Sequence, residues 1–297
     1  MQLTLPEIAS GALQLTRREN YPITNVASVP QRSPFRYPGG KTWLVPHVRR
    51  WMGSLPTRPR VFCEPFCGGA IVGLSMLFDG LADQLILVEL DENVAAVWRT
   101  ILNGQARKLI DRIGQFEVSH ESVRAVLDQR HKSLVDRAFA TIVQNRVQRG
   151  GILAPGASLM KQGENGRGLA SRWYPKTLQK RMEDIHARRG CITFVHGDGV
   201  ECMRENANRH DMVFFIDPPY TVAGRRLYMH SDIDHEELFR IASTLCGDFL
   251  MTYDDAEPIR DLAARFGFDT HAVPMKNTHH RIMHELLIAP DLGWARA

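Results

Sequence analysis

Hydrophobic and polar positions along the chain alternate between two patterns. Short runs of continuously apolar, β-branched or aromatic residues occur at Val61-Phe62-Cys63, Leu85-Ile86-Leu87-Val88, residues 191–195, Met212–Ile216, residues 249–253 and residues 283–289. Such runs predict strands covered on both faces. Between them lie stretches with helical spacing: residues 42–52, with apolar Trp43, Leu44, Val48, Trp51 and Met52, then Ile71–Phe78, a long stretch over 94–147, and a basic helix over 176–189. A further helix is predicted to begin at Asp234, where Asp234-x-x-Glu237 resembles a capping box. Strands alternating with helices predict an α/β fold whose ligands sit at the carboxyl ends of the strands.

The strand ends carry the candidate chemistry. Met212–Ile216 stops at Asp217-Pro218-Pro219-Tyr220. Proline cannot donate to a strand ladder and biases the preceding residue away from the helical region, so the strand must end here in a stiff turn. The Asp217 carboxylate and the Pro218 carbonyl can each accept an N–H from an exocyclic amine, localising its lone pair, while Tyr220 can stack on a base. The tetrapeptide is equally compatible with an ordinary proline turn. Glu64-Pro65-Phe66-Cys67-Gly68-Gly69-Ala70 repeats the theme of a strand followed by a tight turn opening a helix. Phe66, Gly68 and Gly69 are candidates for close approach to a ligand. Glu89 ends the next strand about twenty residues on, where nucleotide-binding α/β folds hold ribose hydroxyls. The turn followed by a strand-end acid speaks for an adenosine-containing cofactor, and the missing third glycine of G-x-G-x-x-G speaks against a dinucleotide. Tyr37, Gly39 and Lys41, within Phe35-Arg36-Tyr37-Pro38-Gly39-Gly40-Lys41, form a second turn able to receive an anionic or carboxylate-bearing ligand on backbone N–H groups. Asp198 is either a cofactor contact or a helix cap.

Composition narrows the class. The 297 residues, 44% hydrophobic and 24% charged, have the balance of a globular protein with a sizeable core. There is neither an apolar run of membrane-spanning length nor a signal-peptide pattern, so the expectation is a cytoplasmic protein with no membrane association. The five cysteines are read as reduced thiols, and no metal site is expected from their spacing, nor from His279, His280 and His284. The net charge is only +4, yet residues 144–190 hold ten basic side chains against three acids, a local excess of +7. That block reads as a surface for a polyanion or as a solvated face. Arg146, Arg149, Arg172 and Lys176 are its candidate phosphate contacts. The predicted organisation is an arm over 1–34, packing on the body or on a second subunit in a homodimer, a catalytic domain over 35–102 and 191–297, and a recognition insert over 103–190.

Taken in order, the segment from Phe35 to Lys41, the turn from Glu64 to Ala70 and the loop from Asp217 to Tyr220, separated by a basic insert, resemble the DNA adenine-N6 methyltransferases of the Dam type. The resemblance covers residues 35–290. It implies a doubly wound, Rossmann-like methyltransferase sheet, S-adenosylmethionine as methyl donor, and an adenine flipped out of double-stranded DNA as acceptor. It would place Tyr37, Lys41, Phe66, Gly68 and Glu89 around the donor, Asp198 near the donor's adenine, and Asp217, Pro218 and Tyr220 at the target base. Two departures stand out. The asparagine- and tyrosine-rich motif of G-A-T-C readers is missing, so the target sequence does not carry over, nor does pairing with an endonuclease. Glu89 stands where aspartate is frequent, a change that keeps a ribose acceptor. N4-cytosine methyltransferases usually carry serine in place of Asp217. RNA-adenine and protein-glutamine methyltransferases more often carry asparagine there, and a catalytically silent DNA-binding module would leave the cofactor turn without a purpose.

Overall fold

The computed structural model describes residues 26–36, 40–130, 133–154, 157–161, 166–219, 233–276 and 282–296. Its centre is a seven-stranded sheet in the order β3-β2-β1-β4-β5-β7-β6. The strands are β1 (Val61–Glu64), β2 (Gln84–Glu89), β3 (Ile192–His196), β4 (Met212–Ile216), β5 (Phe249–Asp254), β6 (Asp269–Lys276) and β7 (Ile282–Ala289). The first five pair in parallel, and β7 runs antiparallel between β5 and β6. From β1 the chain works outward through β2 to β3 and then crosses back to β4 on the other side of β1, so the strand order reverses between β1 and β4. A crevice opens outside the carboxyl ends of strands at such a reversal.

Alternation along β4 explains why the sheet is covered twice. Val213 and Phe215 join one apolar cluster, Met212, Phe214 and Ile216 the other, and all five are buried. Successive side chains leave opposite faces of a strand, so a run without polar interruptions needs helices on both sides. The first face is covered by α1 (Val45–Ser54), α2 (Ile71–Phe78) and α3 (Glu92–Leu102), with Trp51, Leu74 and Trp98 among the buried residues. The second face receives Met203 from α8 (Gly199–Glu205), Phe239 from α9 (His235–Ala242) and Ile259 from α10 (Glu257–Arg265). The short α11 (Gly293–Arg296) packs against α1. The fold is the doubly wound α/β sheet expected from the sequence.

Residues 103–190 supply α4 (Ala106–Gln115), α5 (His120–Leu127), α6 (Leu134–Val147) and α7 (Pro175–Ala187). Here α6 lies against α3 and α4 against α7. Phe139, Ile142, Leu178 and Met182 share one apolar cluster with α1 to α3. Part of the predicted arm is built into that cluster through the buried Val29, and Phe35, the first residue after the arm, joins it with its ring 6.1 Å from Trp98.

Two expectations need adjustment. The start of α9 is only half a capping box. Asp234 accepts from the Glu237 N–H, but the Glu237 carboxylate pairs with Arg204 and Arg240 instead of returning to the cap. The strand β6, which contains Pro274, was not anticipated, because it lies at the sheet edge and is mostly half-buried, without an apolar run. No described helix is long and apolar enough to cross a membrane.

Candidate active site at the sheet reversal

Asp217 leaves the tip of β4 and is held from two sides. Its Oδ1 accepts a hydrogen bond from Thr252 Oγ1 on β5 at 2.9 Å and pairs with Lys41 Nζ at 2.9 Å. Lys41 opens a short 3-10 turn that leads into α1, and its ammonium also reaches Glu285 Oε1 on β7 at 3.1 Å. Lys41 and Glu285 are 5% and 3% exposed, so their half of this acid–ammonium–acid chain is a buried ion pair, while the Asp217 side chain keeps 24% of its surface exposed towards the cavity. Mutual attraction offsets the desolvation of such groups only when every partner stays in place.

Beside it, β1 ends at Glu64 and turns through Gly68 and Ala70, both with positive φ (44° and 49°), into α2. Ala70 offers the helix start no side-chain cap. Glu64 takes that role from outside: its Oε1 accepts from the Gly73 N–H at 2.5 Å, one of the donors left open in the first turn. Burial, together with the nearby charge of Asp217, pushes the Glu64 carboxyl up to about 8 against the lowering effect of that bond.

At the tip of β2, Glu89 ties the turn to the next helix. Its Oε2 accepts from the Gly68 N–H at 3.0 Å and its Oε1 from the Asp91 N–H at 2.9 Å, while Trp98 Nε1 donates to the Gly68 carbonyl at 2.9 Å. Burial raises this carboxyl to about 7. A carboxylate oxygen has more than one acceptor site, so Glu89 retains capacity for ribose hydroxyls after satisfying two backbone donors. Asp198, open between the two earlier readings, caps α8 by accepting from the N–H groups of Val200 (2.7 Å) and Glu201 (3.4 Å), and it also faces the cavity. Gly199 lets α8 pass close to the β1 turn, since a Cβ there would come within 2.1 Å of the Pro65 carbonyl oxygen.

These strand ends open onto one cavity of about 920 Å³. Lys41, Phe66, Gly68, Gly69, Glu89, Asp198 and Asp217 all line it, as does Pro219, the neighbour of Pro218. The size suits a nucleoside-based ligand with room for a second group. Glycines in the walls, a strand-tip carboxylate and several acids make a cradle fitted to a cationic nucleoside such as S-adenosylmethionine. Of the four predicted phosphate contacts, Arg149 and Lys176 are exposed, whereas Arg146 and Arg172 line the cavity. Tyr37, Gly39 and Tyr220 lie outside the described residues, as do His279 and His280. Sequence reasoning missed Glu285 and Thr252, and it gave Lys41 no part in holding Asp217. Glu285 is the lone acid in the apolar run of β7, which is a visible signal, but its partner stands 244 positions away.

A family model described as D12 class N6 adenine-specific DNA methyltransferase matches residues 37–277. No curated protein sequence matches the chain. Among solved structures, the rRNA methyltransferase aviRa from Streptomyces viridochromogenes aligns at 13% identity over 84% of either chain, with a TM-score of 0.35. Precorrin-6y C5,15-methyltransferase from Geobacter metallireducens aligns at 9% identity over 82% of this chain and 85% of its own, with a TM-score of 0.35. Spermidine synthase from Thermotoga maritima aligns at 13% identity over 84% of this chain and 59% of its own, with a TM-score of 0.37.

Two outcomes are expected from this geometry. Lys41→Met leaves two acids without their shared cation, and denaturant unfolding should register a loss of about 3 kcal/mol or more, partly restored by Glu285→Met in the same chain. A single change costing under about 1 kcal/mol would contradict a coupled link. Glu64 binds its proton more tightly folded than unfolded. Relative to Glu64→Gln, the native protein should therefore be most stable below about pH 4.5 and lose that advantage as the pH rises to about 8. The difference in Tm between the two proteins, followed from pH 4 to 9, checks this; a flat difference would contradict it.

Proposed function

The chain belongs to the D12 class N6 adenine-specific DNA methyltransferase family, and we propose from this that it methylates N6 of an adenine extruded from double-stranded DNA. The methyl donor is S-adenosylmethionine, which supplies an already activated methyl group, so the protein needs no covalent intermediate. The observation that carries the acceptor assignment is the Asp217 carboxylate, fixed by Lys41 and Thr252 at the tip of β4 and facing the same cavity as Glu89.

In this reading each residue has a separate task. Glu89 accepts the donor's ribose hydroxyls, with Phe66, Gly68 and Gly69 shaping the wall beside it. Asp217 and the Pro218 carbonyl accept the two N–H bonds of the target amine, which turns the nitrogen lone pair towards the methyl group. Lys41 and Thr252 keep the Asp217 rotamer fixed, so alignment is in place before the acceptor arrives. Tyr220 stacks on the base, a role that rests on its position in the motif. Extruding a base costs a few kcal/mol, and stacking returns about 1 to 3 kcal/mol of it. Arg149 and Lys176, exposed on the basic segment, meet backbone phosphates of the duplex.

The first test is chemical. Duplex DNA incubated with the protein and S-adenosylmethionine, then digested to nucleosides, should yield N6-methyladenine. Methylated cytosine, or product from RNA alone, would overturn the assignment. Asp217→Ala should lower turnover by a hundredfold or more, the order expected when a transition-state acceptor is removed, with donor affinity retained. Glu89→Ala should do the reverse and weaken donor binding seen by calorimetry. Unchanged turnover in the first variant or unchanged affinity in the second would remove that residue from the scheme.

A further inference from the structure

One stretch of the cavity wall is made of arginines. Arg36, Arg146, Arg172 and Arg181 all line the cavity. Arg146 is 7% exposed, and its Nε has no hydrogen-bond partner although its Nη2 donates to the Pro34 carbonyl. Arg181 Nη1 donates to the Ser33 carbonyl at 3.0 Å. The backbone of Arg36 is clamped to α6: its N–H donates to Asn145 Oδ1 at 2.8 Å and its carbonyl accepts from Asn145 Nδ2 at 2.8 Å. Gly151 (φ 77°) allows that approach, because a Cβ there would lie 2.1 Å from the Arg36 carbonyl oxygen. Among the described residues no carboxylate pairs with Arg36, Arg146 or Arg181. Burial and the neighbouring guanidiniums of Arg181, Arg36 and Arg172 hold Arg146 down at about 9. Like charges gathered in a recess, with one buried donor unanswered, are tolerated where an anion completes them.

We propose that these four arginines form an oxyanion site inside the cavity, and that it holds a backbone phosphate of the acceptor strand next to the extruded base. The assignment of strand rests on the reading of a nucleic-acid acceptor. An oxyanion could also come from the donor's carboxylate, but charge argues against it. S-adenosylmethionine carries a sulfonium and an ammonium against one carboxylate, so its net charge repels four guanidiniums and suits the acids Glu64, Glu89, Asp91 and Asp198 elsewhere in the same wall. A phosphodiester brings a negative charge with no cation attached, and arginine forks match its oxygens. In this wall Arg146 is buried and Arg36, Arg172 and Arg181 are half-buried, unlike the exposed Arg149 and Lys176. The site would hold the strand where it enters the cavity.

The test uses the full chain and a duplex carrying the sequence it methylates, in a series where one phosphodiester at a time is replaced by a neutral methylphosphonate. One linkage beside the target adenine should cost the wild type about tenfold or more in affinity, and should cost Arg36→Gln/Arg172→Gln nothing further. Donor affinity by calorimetry should be the same in both proteins. A linkage profile identical in the two proteins overturns the proposal. A tenfold loss of donor affinity in the variant, with the profile kept, assigns the arginines to the donor's carboxylate and overturns it equally. Should the wild type bind no nucleic acid, the functional reading fails by itself, and inorganic phosphate then judges the pocket: a rise in Tm confined to the wild type supports the oxyanion site, and equal behaviour of both proteins overturns it.

Discussion

Lys41 joins three parts of the chain that are far apart in sequence. Its ammonium lies between Asp217 at the end of β4 and Glu285 on β7, while its backbone begins the turn into α1. Burying the Lys41 ammonium and the Glu285 carboxylate is costly unless the two stay paired, and the half-buried Asp217 adds a second partner for the same cation. The link therefore constrains how the first helix, the central strand and the antiparallel strand β7 are placed. The reactive loop is not held by the stiffness of its prolines alone. It is anchored by an ion pair and by Thr252 from the neighbouring strand.

Around that anchor the cavity is divided by charge. Acids gather where β1, β2 and α8 begin or end, and several of them are occupied in capping: Glu64 for α2, Asp91 for α3 and Asp198 for α8. Asp91 and Asp198 cap α3 and α8 and at the same time give this wall negative character, whereas burial keeps Glu64 mostly protonated near neutral pH. Burial raises Glu64 and Glu89, which makes them responsive to an approaching cation. The arginine stretch of the wall has the opposite sign and comes from the segment just after the arm, from α6, from the loop before α7, and from α7 itself.

The helices between β2 and β3 share an apolar cluster with the sheet-covering helices, and Val29 of the arm and Phe35 just after it are part of it. Packing of this kind makes residues 33–36 a structural bridge. Their carbonyls accept from Arg146, Arg181 and Asn145, and directly after them comes the segment that delivers Lys41.

The apolar runs of the chain were enough to locate β1 to β5 and β7, and the acids Glu64, Glu89 and Asp217 were visible as the residues where such runs stop. Burial on both faces accounts for the run of β4, but β3 is an edge strand with only Ile192 buried, and its run of Ile192, Phe194 and Val195 overstated its cover. The other edge strand, β6, escaped because it carries no apolar run and its Pro274 reads as a breaker. Local pattern also identified Asp234 as a helix start and left Asp198 open between a cap and a cofactor contact, but it could not say that Glu237 would turn to Arg204 and Arg240. What only the tertiary structure decided is which charges meet. Arg146 and Arg172 stood out as candidate phosphate contacts of the basic block, but only the packing of α6 and α7 against residues 33–36 brings them together with Arg36 and Arg181, and Lys41 looks like a ligand-binding residue until β7 brings Glu285 to it. Periodicity along a chain encodes which face of an element is buried, whereas the meeting of charges across 244 positions depends on how the faces are assembled.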